Sequence, residues 1–504
     1  MCWQNKADLM RRLKILIAFL IPVAAVMVMN NGLDNDSWYV IAEGREIVEN
    51  GIYYEDQLSM HEGLEVTVQN YGFAAIFYLL FLAFGGVGIY IAMLIANVIL
   101  CYLIYKICML LSNKNMNLSL LLMILTDLLL VNSGFIVTRA QMISYAILML
   151  VIYLLELYIR KGKTKTLWWI PILSVIQINL HASVWPMMLI VMVVYMLDAR
   201  KQPKLHYKGY KMMPILRVLI LAILVGFLNP YGIKMMTYIL TSYGIPEAND
   251  YINEMAPFSL GSNRDILFYG AIVAVMMLYV FGKNRNIRMR YLILLFGFLA
   301  LGINTVKGMS YLILVLWFPI AEVYRDARIG RWGTRKIRWM VGSWMGVIVV
   351  GTVLGHIILT VPNVNSDGPF EGMVVAVDYL DLAAGEADKE HLKVYADYNQ
   401  GGFLEYRGYK PYIDPRMETF LKANNGKDDI FLEYYKLEMG KLNKAEFIKK
   451  YDFDYLVVGE SDALYDFPEI FTDKYKMIYE DDDDEKYGVR VYQKIDNTKE
   501  MFKM

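Results

Sequence analysis

Tyr71-Gly72-Phe73-Ala74-Ala75-Ile76-Phe77-Tyr78-Leu79-Leu80-Phe81-Leu82-Ala83-Phe84, followed by Gly85-Gly86-Val87-Gly88, is the stretch on which the topology of this chain turns. A helix needs roughly 20 apolar residues to cross a bilayer core, and about 13 are too few. The run therefore reads as a helix lying in the membrane interface, and the glycines let the backbone turn into the apolar segment behind them. Working outward, eleven segments are expected to cross: near residues 13–30, 88–111, 117–137, 141–159, 166–181, 183–197, 213–229, 264–282, 290–306, 308–324 and 339–360. Counting the 71–84 run as a twelfth would invert every later loop. It would also spoil the distribution of basic residues, which stay on the cytoplasmic side because basic flanks resist translocation.

That distribution is lopsided. With the N-terminus inside, the inner segments hold 25 Lys and Arg residues, from Lys6, Arg11, Arg12 and Lys14 to the group Arg325 to Arg338. The outer segments hold five: Arg45, Arg139, Lys234, Arg264 and Lys307. Eleven crossings with this bias place the tail outside the cell. The first span lacks a small-residue cleavage site and is followed by further spans, so it reads as an anchor and not a cleaved signal.

Composition agrees. Of 504 residues, 57% are hydrophobic and 20% charged, and the mean hydropathy is +0.36, which excludes an ordinary soluble globular domain. Up to residue 361 the chain carries 31 basic and 19 acidic residues, and the tail carries 19 and 31. That opposed split marks two environments and argues against a nucleic-acid binder. Three cysteines, Cys2, Cys101 and Cys108, give neither a disulfide framework nor zinc-ligand spacing. The 32 methionines and the aromatics at span ends suit bilayer packing and interfacial belts. From residue 362 the tail alternates β-type runs (392–395, 455–458, 489–493) with helical stretches (429–439, 444–450), the pattern of a small α/β domain. The acidic run Glu480 to Glu485 reads as a solvated turn between strands.

Acidic residues in outer loops are the first candidates for chemistry, since charge beside a membrane is costly. Asp34 and Asp36 stand at the outer end of the first span, in the loop that runs from Asn31 to Arg45. If the backbone curls, both could grip a cation. The structural alternative makes Asp36 a helix cap and Asp34 a solvated turn residue. His181 ends the polar ladder Gln177, Asn179, His181, which either lines a cavity or is a hydrogen-bonded packing element. Arg139 and Lys307 sit at span ends, where they either meet a lipid phosphate or anchor the helix in the interface. Asn229-Pro230-Tyr231-Gly232 reads as a helix stop. Asp127, the deepest acid, stands alone in an apolar segment and is the feature a transporter would use. No fixed-period repeat and no inverted pair of broken helices accompanies it.

The run Asp36-Ser37-Trp38-Tyr39, then Gly44-Arg45-Glu46-Ile47, Gly51-Ile52 and Asp56-Gln57-Leu58-Ser59, resembles the first outer loop of bacterial integral-membrane glycosyltransferases of the GT-C fold. That family is related to dolichyl-phosphate-mannose protein mannosyltransferases and lipopolysaccharide-core sugar transferases. The resemblance continues in order through Arg139-Ala140-Gln141, Asn179-Leu180-His181, Asn229-Pro230-Tyr231-Gly232 and Asn253-Glu254. In the tail it reaches Asp397-Tyr398, Gly401-Gly402-Phe403-Leu404 and Ile413-Asp414-Pro415-Arg416. It departs at Val40, where many relatives have His, and at Gln69-Asn70-Tyr71, where they carry a more acidic, Trp-bearing version.

The resemblance implies a GT-C-like domain over 1–361, with a long first outer loop at 31–87, and an extracytoplasmic α/β domain over 362–504. It implies transfer of a sugar from a polyprenyl-phosphate donor to a glycan, lipid or protein acceptor at the outer face. Asp36, with Asp34 beside it, is then the expected catalytic carboxylate, with Asp36 as the general base. Asp56 and Glu254 are expected as helper acids or metal ligands, and Arg139 and Lys307 as partners of the donor phosphate. No cofactor is fixed by these residues; a divalent cation, Mg²⁺ or Mn²⁺, is the candidate. A polytopic transporter and a noncatalytic protein of envelope polysaccharide assembly are the competing expectations.

Overall fold

The computed structural model describes residues 2–29, 33–199, 209–242, 245–257, 288–325, 371–385, 387–466, 474–480 and 488–495, with side chains from residue 9 onward. It adds the single positions 270, 272, 273, 275, 276 and 351. The expected spans at 264–282 and 339–360 and the acidic residues 481–485 lie outside these ranges or nearly so. The chain divides into two compact units. One comprises Met1–Asn31, Tyr90–Met236 and Gly244–Pro362; the other comprises Gly32–Ile89, Thr237–Tyr243 and Asn363–Met504. The first outer loop, assigned from sequence to the membrane domain, thus belongs with the tail.

Three helices open the chain: α1 (Cys2–Met29), α2 (Asn35–Asn50) and α3 (Tyr71–Leu111). In the membrane unit, the later part of α3 is followed by α4 (Met116–Asn132), α5 (Gln141–Lys161), α6 (Trp169–Leu180), α7 (Trp185–Leu197) and α8 (Met213–Val225). Helices Met289–Asn304, Val306–Val315 and Phe318–Val323 come next. Among the described residues, Tyr71–Leu111, Gln141–Lys161 and Val306–Val323 are long and apolar enough to cross a bilayer, and Met116–Asn132, Ala182–Leu197, Met213–Val225 and Met289–Asn304 are shorter apolar helices. Local chemistry sets their ends. Asn115 caps α4 by accepting from the Leu118 amide at 3.3 Å, and Gly162 closes α5 in the left-handed region. In lipid there is no hydrophobic drive between helices, so small residues and internal hydrogen bonds fasten them. Ser174 of α6 donates to the Ala222 carbonyl of α8 at 2.8 Å and accepts from Trp185 Nε1 at 2.7 Å.

The expected break in α3 falls at Gly85, whose φ of 62° is open to glycine at little steric cost. Before that break, the Tyr71–Phe84 stretch belongs to the second unit. It buries Phe73, Ala74 and Phe77 and exposes Ile76, Leu79, Leu82 and Phe84. Protein thus covers one apolar face of this stretch and leaves the other open.

The second unit is built on a five-stranded sheet of order β2-β1-β3-β5-β4. Its strands are β1 (Lys393–Tyr395), β2 (Lys410–Pro411), β3 (Tyr455–Gly459), β4 (Tyr475–Glu480) and β5 (Val489–Lys494). β1 runs parallel to β2 and β3, and β5 runs antiparallel to β3 and β4. β3 is buried along its whole length, which is why its sequence is an uninterrupted apolar run. Helices Ile430–Glu438 and Lys444–Tyr451 start at the side-chain caps Asp429 and Asn443. Tyr395, Tyr412, Phe447, Tyr451 and Phe453 pack together, with Tyr395–Phe447, Tyr395–Phe453, Tyr412–Phe447 and Tyr412–Tyr451 edge to face and Tyr395–Tyr412 and Tyr451–Phe453 stacked.

Helix α2 is clasped on two sides through glycines. A Cβ on Gly44 would lie 2.1 Å from the Ala74 carbonyl oxygen, and one on Gly402 would lie 3.1 Å from Tyr39 Cβ. Trp38 fills the space between, 5.1 Å from the Phe403 ring and 6.3 Å from that of Phe81. The motif glycines are thus close-approach positions that hold α2 in its unit.

Candidate active site

Asp34 and Asp36 take roles opposite to those the capping alternative gave them. Asp34 is the N-cap of α2: its Oδ1 accepts from the Ser37 amide at 3.0 Å and from Ser37 Oγ at 2.7 Å. Ser37 Oγ in turn accepts from the Asp34 amide at 3.2 Å. This reciprocal capping box gives Asp34 a structural task. Asp36 lies in the first turn of α2, half-buried, at the positive end of the helix dipole.

Asp56 sits in a buried cluster around Arg416, whose side chain is 2% exposed. Arg416 Nη1 donates to Asp56 at 2.7 Å, Nη2 donates to Glu405 at 2.8 Å and to Asp414 at 2.7 Å, and Glu43 stands 3.9 Å away. Burial raises the Asp56 carboxyl, but Arg416 and two Ser59 hydrogen bonds pull it below the usual range. Glu43 goes the other way. Burial, opposed only in part by Arg416 and reinforced by the neighbouring acids, pushes it up to about 8, and burial likewise raises Glu405. Arg416 thus favours the ionised form of Asp56, while burial favours the neutral forms of Glu43 and Glu405.

A pH dependence follows. Glu43 is favoured neutral in the fold, so its stabilising contribution is complete below the ordinary value of 4.5 and is lost as pH rises toward 8. Pulse proteolysis of the tail in urea at pH 4.5 and pH 8 should show the midpoint falling on the basic side, by on the order of a few kcal/mol. Glu43→Gln should abolish that part of the difference, and an unchanged slope in the variant would contradict the assignment.

In the membrane unit three sequence candidates meet. Arg139 Nη1 binds Glu254 Oε1 at 2.7 Å, and Lys307 Nζ lies 3.7 Å from Glu254 Oε2. The Lys307 amide also donates to the Glu254 carbonyl at 3.0 Å. Arg139 chiefly, opposed by burial and helped by Lys307, holds the Glu254 carboxyl below its usual range. Two cations on one carboxylate leave a net positive, partly exposed site. His181 is buried, its Nδ1 2.9 Å from Ser144 Oγ, which also accepts from Gln177 Nε2 at 3.0 Å. The polar ladder is therefore a hydrogen-bonded packing element. Asn229 closes its own turn onto the Gly226 and Gly232 carbonyls, as a helix stop would.

Asp127 does not stand alone: its Oδ1 accepts from Asn97 Nδ2 at 2.9 Å and from Cys101 Sγ at 3.3 Å. The transporter reading loses its main argument. The charged network that sequence reasoning missed lies elsewhere, around Glu156. Arg290, fully buried, bonds Glu156 at 2.9 Å and Asp198 at 2.8 Å, and Arg160 joins Glu156 at 2.7 Å and also Glu322. Isolated charges within apolar segments were the available signal.

A divalent cation does not fit this donor set. Among the described residues no three His, Cys, Asp or Glu side chains converge as ligands. Asp56 and Glu254 already hold Arg416 and Arg139.

Solved structures resemble this chain over nearly all of it. An Archaeoglobus fulgidus oligosaccharyltransferase, tethered to an acceptor peptide, matches 96% of this chain and 74% of its own with TM-score 0.56 and 12% identity. ArnT from Cupriavidus metallidurans, bound to undecaprenyl phosphate, matches 96% and 98% with TM-score 0.51 and 8% identity. The mycobacterial arabinofuranosyltransferase AftD matches 96% of this chain and 41% of its own with TM-score 0.55 and 11% identity. No family model matches the sequence, and no curated protein matches it. The chain is a helical membrane protein of the GT-C fold with a C-terminal sheet-bearing domain.

Proposed function

We infer that the protein is a membrane glycosyltransferase that moves a sugar from a polyprenyl-phosphate carrier to an envelope glycan, lipid or protein acceptor at the outer face. The observation that carries this reading is the GT-C fold across 96% of the chain, shared with an oligosaccharyltransferase, an arabinofuranosyltransferase and a protein that binds undecaprenyl phosphate. Asp36, set in the first turn of α2 by the Asp34 cap, serves as general base. It takes the proton of the acceptor hydroxyl as that oxygen bonds the anomeric carbon and the carbon–phosphate oxygen bond breaks. Arg139 and Lys307 bind the carrier phosphate, sharing Glu254 between them. Arg139→Ala should raise KM for the lipid-phosphate donor roughly tenfold or more with little change in kcat; an unaltered KM would remove Arg139 from the donor site.

The Lys/Arg bias supports an extracytoplasmic tail. The tail has no cysteine, and Cys101 and Cys108 are buried. A Lys449→Cys variant should react with an impermeant maleimide in intact cells; labelling only after lysis would invert the topology. The function itself is tested by mass spectrometry of polyprenyl-phosphate sugars and envelope glycans with and without the protein. Accumulation of one charged carrier and loss of one glycan feature is expected, and an unchanged profile of both would favour a noncatalytic assembly protein.

A further inference from the structure

The far end of α5 from Arg139 opens onto a cavity of about 750 Å³ that the transfer reaction does not use. At 1.5 Å per residue, the length of α5 places the cavity roughly 30 Å from Arg139, the thickness of a hydrocarbon core. Its described lining includes Lys106, Lys114, Arg160, Lys161 and Arg288, and no acidic side chain. Behind the wall, Glu322 and Glu156 hold the two arginines: Arg160 bonds both acids and Arg288 reaches Glu322 at 3.3 Å. The arginines are therefore fixed in place by carboxylates that do not face the cavity, while three lysines add positive charge to it. Met109 and Leu110 supply an apolar side.

The turn that delivers Lys114 is informative. Asn113 and Lys114 both adopt positive φ, 51° and 66°. Asparagine tolerates that region, whereas lysine is an unfavourable choice where glycine would relieve the strain. A lysine kept at such a position, at the mouth of a cationic cavity, points to a use for its charge.

We propose that this cavity binds a phosphate-bearing anion, held by the lysines and the two carboxylate-anchored arginines, at the membrane end opposite the Arg139 and Lys307 site. The chemistry suits either an acidic lipid headgroup, with its chain along the apolar side, or a free polyphosphate. This inference is independent of the transferase reading, because it rests on cavity, charge and turn geometry alone. The test uses the purified full-length protein. Retention of phosphatidylglycerol against phosphatidylcholine is measured by native mass spectrometry, and binding of inorganic tripolyphosphate is measured by calorimetry. The double variant Lys114→Gly/Lys161→Gln should bind at least about tenfold more weakly than wild type, and added salt should weaken wild-type binding. Lys114→Gly should fold at least as well as wild type, since it relieves the strained turn, so lost binding will not reflect lost structure. Preference for phosphatidylglycerol without tripolyphosphate binding identifies a lipid headgroup, and the converse identifies a soluble phosphate. Absence of both, or equal binding by wild type and double variant, would overturn the proposal.

Discussion

Replacing Arg416 with methionine should unfold the tail domain. The substitution removes the cation that Asp56, Asp414 and Glu405 all contact at 2.7 to 2.8 Å in an environment almost without water. A buried pair broken on one side typically costs about 3–5 kcal/mol, because the remaining charge is left uncompensated, and here the Asp56 carboxylate would be stranded. Arg416→Lys should fail as well, since an ammonium cannot reproduce the fork that reaches three carboxyl groups. The readout is the protease resistance of the tail in membranes. Wild-type resistance in Arg416→Met would show that the cluster contributes little. A double variant, Arg416→Met with Asp56→Asn, should recover part of the loss, because contacting residues are not additive.

Asp36→Asn should abolish sugar transfer, by about 10²–10⁴-fold in kcat, because it removes the proton acceptor while retaining the shape of the first turn of α2. Its neighbour supplies the control. Asp34→Asn keeps a capping residue, and even complete loss of the cap costs only about 0.5–2 kcal/mol, so that variant should retain activity. If the two variants lose activity equally, Asp36 has no special chemical role and the loss reflects damage to α2. If Asp36→Asn is fully active, the base lies elsewhere.

The comparison of these two aspartates shows how far the sequence could be read. The importance of the loop was legible in its density of acids, but the cap fell to Asp34 and not Asp36. The deciding signal was present: an acid three residues before Ser37 is a capping-box spacing. The Arg416 cluster was not legible, because Asp56 and Arg416 are 360 residues apart, and no periodicity links them. Asp56, Gly402, Asp414 and Arg416 all lie in motifs that carried the resemblance, yet what the structure assigns them is scaffolding around α2. Arg139 and Lys307 were anticipated as partners of the donor phosphate and Glu254 as a helper acid or metal ligand, but their mutual contact was not, and folding brings the three together. In the tail, β1, β3 and β5 were readable from their apolar runs, as were the helices Ile430–Glu438 and Lys444–Tyr451, whereas the longer helix Glu371–Ala384 was not read. β2 has only two residues, and β4 is an edge strand with mostly exposed side chains, so neither carries the alternation that marks a half-buried strand. Glu156 and Arg290 stand 134 residues apart, and although Glu156 lies within an apolar segment, Arg290 alone looks like an ordinary flanking charge.

The central claim is that this GT-C fold still performs transfer chemistry. It is tested most directly by reconstituting the purified protein in vesicles with polyprenyl-phosphate sugars extracted from cells that lack it, together with an envelope acceptor fraction. The expected result is appearance of the sugar on the acceptor with release of the bare polyprenyl phosphate, and loss of both with Asp36→Asn. Carrier and sugar remaining joined throughout, in well-folded wild-type protein supplied with that full complement of carriers and acceptors, would contradict it.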